Sequence, residues 1–319
     1  MYFPYLRGKQ FDLMALREFA TANPNNNNIF PIIEPVKDTY NSLRIAVDCF
    51  MANGQKFALI LNPELGDFKK ATEGYDIIES LPILSEHLGD WTPAFIFSDV
   101  DNIHSTINTY GLENVMIIFP NGINTSNPSV TEILNDTRVK YIVNGEPESP
   151  SAMRLLRSLT GKIRIRLDDN FDEKPRNVDY IGLGENVFSE TCYYYRDDDR
   201  YQGFSDYTTL PKDFIDGGMQ PYAIAIHLTY DKNDEKIYIQ HFVSNSNYDQ
   251  SNIQGKFAEA VEKVAFFFQD KPQTPALRSL IQLYTDKKYP GLGFIKKLSI
   301  RNHIELIDGI LTSLYHENL

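Results

Sequence analysis

Glu34 in "PIIEPV", Asp99 in "FIFSDV" and the arginines of "KIRIRLDD" are charged residues set within, or at the very end of, apolar runs. Carboxylates in such places could bind a divalent metal through oxygen or take up a proton as general base. Arginine forks suit phosphate and carboxylate groups. In "KIRIRLDD", Ile163, Ile165 and Leu167 alternate with Lys162, Arg164, Arg166 and Asp168. A solvated antiparallel strand tolerates that alternation, whereas a strand walled in by helices reads apolar on both faces. If this strand is buried, its arginines must pair with carboxylates or bind an anion, because an uncompensated buried charge is costly.

The flanking elements argue for burial. The runs 2–8, 29–36, 56–62, 93–99, 115–120, 139–146 and 162–169 are short and β-rich, and stretches with helical periodicity separate them. Strands alternating with helices over short connections imply a parallel sheet covered by helices. So many units in succession favour closure into a (β/α)8 TIM-like barrel in the α/β class. No G-x-G-x-x-G follows the first strand, which removes support for a dinucleotide-binding domain. Residues 170–202 read as a long excursion, with "YYYRDDDRY" an exposed loop over the barrel mouth. The eighth strand is expected within 203–210. "YAIAIHLTYD" and "IYIQHFVS" flank "KNDE" as a β-hairpin, and helices follow. Residues 220–319 are thus a hairpin and helical elaboration of one barrel domain spanning 1–319.

In a barrel, chemistry sits at the C-terminal ends of the strands. Those ends supply Arg7 and Lys9, Glu34 and Lys37, Asn62 and Glu64, Asp99 and Asp101, Asn121, Asn144 and Glu146, Arg166 with Asp168 and Asp169, then Asp206. Arg164, Arg166, Glu34 and Asp99 lie deepest, and the two arginines are expected to point into the barrel. At least one of Glu34, Asp99 and Asp206 should then lie within reach of Arg166. Two readings follow. In one, these charges form a satisfied internal ion-pair network. In the other, Arg7, Lys9, Arg164 and Arg166 bind an anionic substrate while Glu34, Asp99 and Asp168 hold Mg or Mn, as in metal-assisted phosphodiester hydrolysis. His227 and His241, on the two hairpin arms, are further acid–base candidates. Fourteen residues and a turn separate them, so they need not face each other.

Composition narrows the partners. Asp and Glu number 43 against 31 Lys and Arg, a formal net charge of −12, which argues against a broad nucleic-acid surface. Two cysteines give no disulfide framework. There is no signal peptide and no apolar run long enough to span a bilayer, so a cytoplasmic chain is expected.

Read in order, "YFPYLRGKQFDLMALRE", "PIIEPVK", "GFSDY", "YAIAIHLTY", "IQHFVS" and "GKFAEAVEKV" resemble a bacterial family of unassigned function related to the phage beta-protein family. The likeness covers most of the chain outside its last 40 or so residues. It carries no reaction. It implies a place in phage–host conflict beside a partner protein from a neighbouring gene. It also ranks Asp206, His227, His241 and Lys256, which lie in those motifs, above other isolated polar residues. A non-catalytic barrel that binds a partner or phage component is the alternative to a hydrolase.

Overall fold

The apolar runs become strands: β1 (Tyr5–Leu6), β2 (Ile32–Ile33), β3 (Ala58–Ile60), β4 (Thr92–Ile96), β5 (Val115–Phe119), β6 (Val139–Asn144) and β7 (Ile163–Asp168). After them, β8 (Glu185–Ser189) belongs to a second sheet, and β9 (Gly203–Asp206) is the eighth stave of the first. Every neighbouring pair from β1 to β7, and then β7 with β9, is parallel. Tyr2 bridges both Ile29 and Phe204, and the Phe3 amide donates to the Phe204 carbonyl at 2.8 Å, which brings the first and last staves together. The result is a nearly closed parallel barrel of the TIM-like kind. The structure is a computed structural model that describes residues 1–70, 76–146, 148–197, 200–215, 217 and 221–316.

Helices connect the staves: α1 (Gln10–Ala22), α2 (Asn41–Ala52), α3 (Ile77–Ser80), α4 (Pro82–Glu86), α5 (Val100–Tyr110), α6 (Pro128–Asn135) and α7 (Pro150–Ser158). Several of their starts follow capping chemistry. Asp99, Asn127 and Ser149 each accept backbone N–H bonds at the N-cap, and proline opens α6 and α7.

The sequence groups all elements in one domain over 1–319. In space they form two compact units, Met1–Asp169 with Tyr194–Tyr207, and Asn170–Tyr193 with Thr208–Leu319. The second unit holds α8 (Thr191–Tyr194) up to Tyr193, β10 (Ala225–Asp231), β11 (Ile237–Val243), α9 (Ile253–Phe267), α10 (Pro275–Thr285) and α11 (Leu292–His316). Its sheet runs β10-β11-β8, all antiparallel. Ile226, Leu228, Tyr230 and Phe242 pack one face of that sheet on Phe257, Val261, Val264 and Leu277 of α9 and α10.

Two expectations change here. The barrel interior is filled by Phe3 and Tyr5, Phe30 and Ile32, Ala58 and Ile60, Ala94 and Ile96, Met116 and Ile118, Val143, Ile165 and Leu167, and Tyr207. On β7 the inward face is therefore the apolar one, and Arg164 and Arg166 stand on the opposite face. Arg164 donates to the Leu156 carbonyl of α7 at 2.7 Å and to Gln202 Oε1 at 3.1 Å. Replacing Arg164 with methionine should therefore cost about 1 kcal/mol or less, as for surface-side polar contacts. A loss several times larger in urea titration would mean that its charge is needed inside.

The second change concerns "YYYRDDDRY". Tyr195 and Tyr201 are buried, not exposed. Tyr201 accepts from Asn144 Nδ2 at 3.1 Å and donates to Glu148, and Arg200 pairs with Glu148 at 2.9 Å. Asp198 and Asp199 of this stretch lie outside the described residues.

Candidate functional site

Because side chains alternate along a strand, the residues two beyond Tyr5, Ile32 and Ile60 should cap the packed interior at its C-terminal end. These are Arg7, Glu34 and Asn62. Glu34 is 1% exposed. Its Oε2 accepts from the Tyr5 hydroxyl at 2.7 Å and from Arg7 Nη1. The Arg7 guanidinium lies 4.8 Å from the Tyr5 ring centroid and 5.2 Å from that of Tyr207. Glu34 Oε1 is buried and has no hydrogen-bond partner among the described residues. Just after Arg7, Gly8 takes φ +60°, and a Cβ there would stand 3.0 Å from the Glu34 carbonyl oxygen. A side chain at residue 8 would crowd that approach.

The electrostatics follow from this packing. Burial raises the Tyr5 pKa well above that of a free phenol, with the Glu34 charge adding to it, so the hydroxyl keeps its proton and donates. Glu64 is raised by burial first and by the Glu34 charge second. Asn62 ties the next strand into this end: its Nδ2 donates to the Ile96 carbonyl at 2.8 Å, and its Oδ1 accepts the Ile96 amide at 2.9 Å.

Other predicted site residues lie elsewhere. Asp99 is exposed, not deep, and caps α5 by accepting from the Asp101 amide at 3.0 Å. A strand-end aspartate that starts a helix is consumed by capping. Lys9 stands half-buried at the N-cap of α1. Arg166 pairs with Asp168 at 2.6 Å and with Glu146 at 3.6 Å, so its partners are not Glu34, Asp99 or Asp206. Burial works to lower the Arg166 pKa, and Asp168, Glu148 and Glu146 outweigh it. Asp206 is the lateral neighbour of Asp168 and accepts from the Tyr2 hydroxyl at 2.5 Å. Both carboxylates are buried. Glu34, Asp99 and Asp168 thus have three separate settings. Among the described residues no three His, Cys, Asp or Glu side chains converge as metal ligands.

The second unit holds the remaining candidates. His227 and His241 are direct cross-strand partners, although their spacing left this open. Their Nδ1 atoms are 2.7 Å apart, so one ring donates to the other. The Tyr180 ring lies tilted 4.6 and 4.8 Å from the two imidazoles, and Phe171 lies edge-on 5.1 and 6.4 Å away. Burial lowers the His227 pKa to about 3, helped by His241, and lowers that of His241 to about 4. Lys256 is 1% exposed and donates to the Asp249 carbonyl, with Asp249 Oδ1 3.6 Å away. It ties the loop before α9 to the helix.

The charge list missed the aromatic partners. Tyr5 falls on the inward face of β1, and Tyr207, one residue past β9, continues the inward period-2 series of that strand, a signal that reading strand faces would have exposed. Phe171 and Tyr180 come from the excursion, where no periodicity marks them.

No family model, no curated protein and no solved structure matches the chain. Among the described residues no helix is long and apolar enough to cross a membrane.

Proposed function

We propose that the chain is a barrel hydrolase whose active site is the C-terminal end of the first three staves, with Glu34 as general base. One observation carries this reading. Glu34 has one oxygen anchored by Tyr5 and Arg7 and the other buried without a hydrogen-bond partner among the described residues. A carboxylate oriented through one oxygen and unbonded at the other can take a proton from a water or hydroxyl that reaches it. Glu64, whose carboxyl is raised by desolvation and by the Glu34 charge, is the complementary acid. Arg7 orients the base and supplies a positive charge for a phosphodiester or other anionic substrate. The reading does not require the Glu34, Asp99 and Asp168 metal set. The antiparallel strands and C-terminal helices of the second unit are read as an addition to the barrel. The motif likeness extends the proposal to phage–host conflict.

The test is a hydrolysis screen with chromogenic phosphodiesters, phosphomonoesters and carboxylic esters, comparing the native chain with Glu34→Gln. The native chain should turn over at least one substrate, and the variant should be slower by about 100-fold or more, the range for loss of a general base. The melting temperature must show that the variant folds. No turnover, or equal turnover by a folded variant, would overturn the assignment.

The alternative, a non-catalytic barrel binding a partner protein, is favoured by a different observation. The arginine expected to greet an anion, Arg166, is engaged by Asp168 and Glu146.

A further inference from the structure

We propose that the second unit binds a small molecule joining a flat apolar ring to one anionic group, in a cavity of about 300 Å³ beside the histidine pair. The cavity is of the size that takes small ligands. Phe171 and Tyr180 form aromatic walls, and Thr209, His227, Lys296 and Ser299 supply polar groups. All of these belong to the one compact unit.

Three features point to an occupant. The Thr209 residue is 3% exposed, and its hydroxyl is buried with no hydrogen-bond partner among the described residues. Buried hydroxyls are nearly always satisfied, so an unsatisfied one on a residue lining a cavity marks a place where a ligand atom could complete the bond. Lys296 is half-buried at the cavity and makes no ion pair among the described residues. Lys174 also lines the cavity, but Asp172 holds it at 2.7 Å, and Glu173 stands beside it. Lys296 is thus the cation left to meet an anion. Finally, His227 has its Nδ1 committed to His241, which leaves Nε2 as the ring nitrogen for a ligand. A ring laid against the edge of the Phe171 and Tyr180 pair gains aromatic contact, while the anionic group reaches Lys296 and a polar atom meets Thr209.

The inference is independent of the Glu34 site. The test is calorimetric titration of the full chain with indole-3-acetate, phenyl phosphate and the uncharged indole-3-acetamide. At least one anion should bind saturably at one site, about tenfold or more tighter than the amide, as for a charge-assisted contact. The carboxylate and phosphate arms distinguish which anion the site prefers. Lys296→Gln should remove most of that preference and leave amide binding unchanged, whereas Thr209→Val should weaken every probe that binds. If Thr209→Val does not fold, the half-buried Lys296→Gln variant still decides the matter. Absence of saturable binding by both anions, equal binding of the amide, or an anion affinity unchanged in Lys296→Gln would overturn the proposal.

Discussion

Replacing Arg7 with alanine is expected to destabilise the barrel by about 3–5 kcal/mol, the cost of leaving a buried charge without its partner. Glu34 is 1% exposed, and its anchored oxygen would keep only the Tyr5 hydroxyl. The guanidinium also fills space against the Tyr5 and Tyr207 rings, so truncation removes packing as well as charge. The single tryptophan, Trp91, is buried in the barrel unit and donates to the Leu84 carbonyl at 2.9 Å. Its fluorescence during urea unfolding therefore reports the barrel. The double variant Arg7→Met/Glu34→Leu should recover most of the loss, because two apolar side chains can replace a buried ion pair at little cost. A loss below about 1 kcal/mol for Arg7→Ala would mean that Glu34 does not depend on this partner.

Acid should weaken the second unit through its histidine pair. With folded pKa values of about 3 for His227 and about 4 for His241, both rings lie below the ordinary value of about 6.5. Above pH 6.5 the rings are neutral in folded and unfolded chains alike, and the pair contributes no pH dependence. Below pH 6.5 the unfolded chain takes up protons that the folded unit refuses, so stability falls with pH. The loss levels off once pH drops past the folded values. By pH 5 each imidazole contributes a loss of about 2 kcal/mol relative to pH 8. Protonation would also turn both facing Nδ1 atoms into donors and break their bond. Hydrogen exchange of the β10 and β11 amides should speed up between pH 6.5 and 4 beyond the intrinsic pH effect. The double variant His227→Leu/His241→Leu should lack this acceleration. An equal response in that variant would assign the acid sensitivity elsewhere.

The barrel could be read from the chain because its signals are local and repeated. Each stave is a short run rich in apolar residues, and several of the following helices begin at a capping side chain such as Asp99, Asn127 or Ser149. The orientation of β7 could not. A period of two shows that Ile165 and Arg166 face opposite ways, but not which way is inward when both faces of the strand are covered. The interior took the apolar face, and the longer arginine side chains reached carbonyl and carboxylate partners on the other. Arg7 and Glu34 were each legible as strand-end charges following an apolar run, but their pairing was not, since the sequence points to Arg166 as the arginine near Glu34, Asp99 or Asp206. Asp99 looked equivalent but serves as a helix cap. The histidine pairing depended on the register across the 232–236 turn, which residue spacing does not determine. The cavity beside it draws on segments near residues 171–180, 209, 227 and 296, and nothing local in the sequence joins them.

Synthesis meets the second sheet in an awkward order. The strand β8 emerges from the ribosome before the eighth stave, yet its partner β11 arrives some fifty residues after β8, and β10 just before that. A nascent chain stopped after Tyr207 would possess every barrel strand and still carry β8 with nothing to pair with, an exposed edge of the kind that recruits other chains. Truncation at the apparent end of the barrel is therefore a poor way to isolate it. A cleaner excision would remove 170–193 together with 208–319 and rejoin the ends with a short linker.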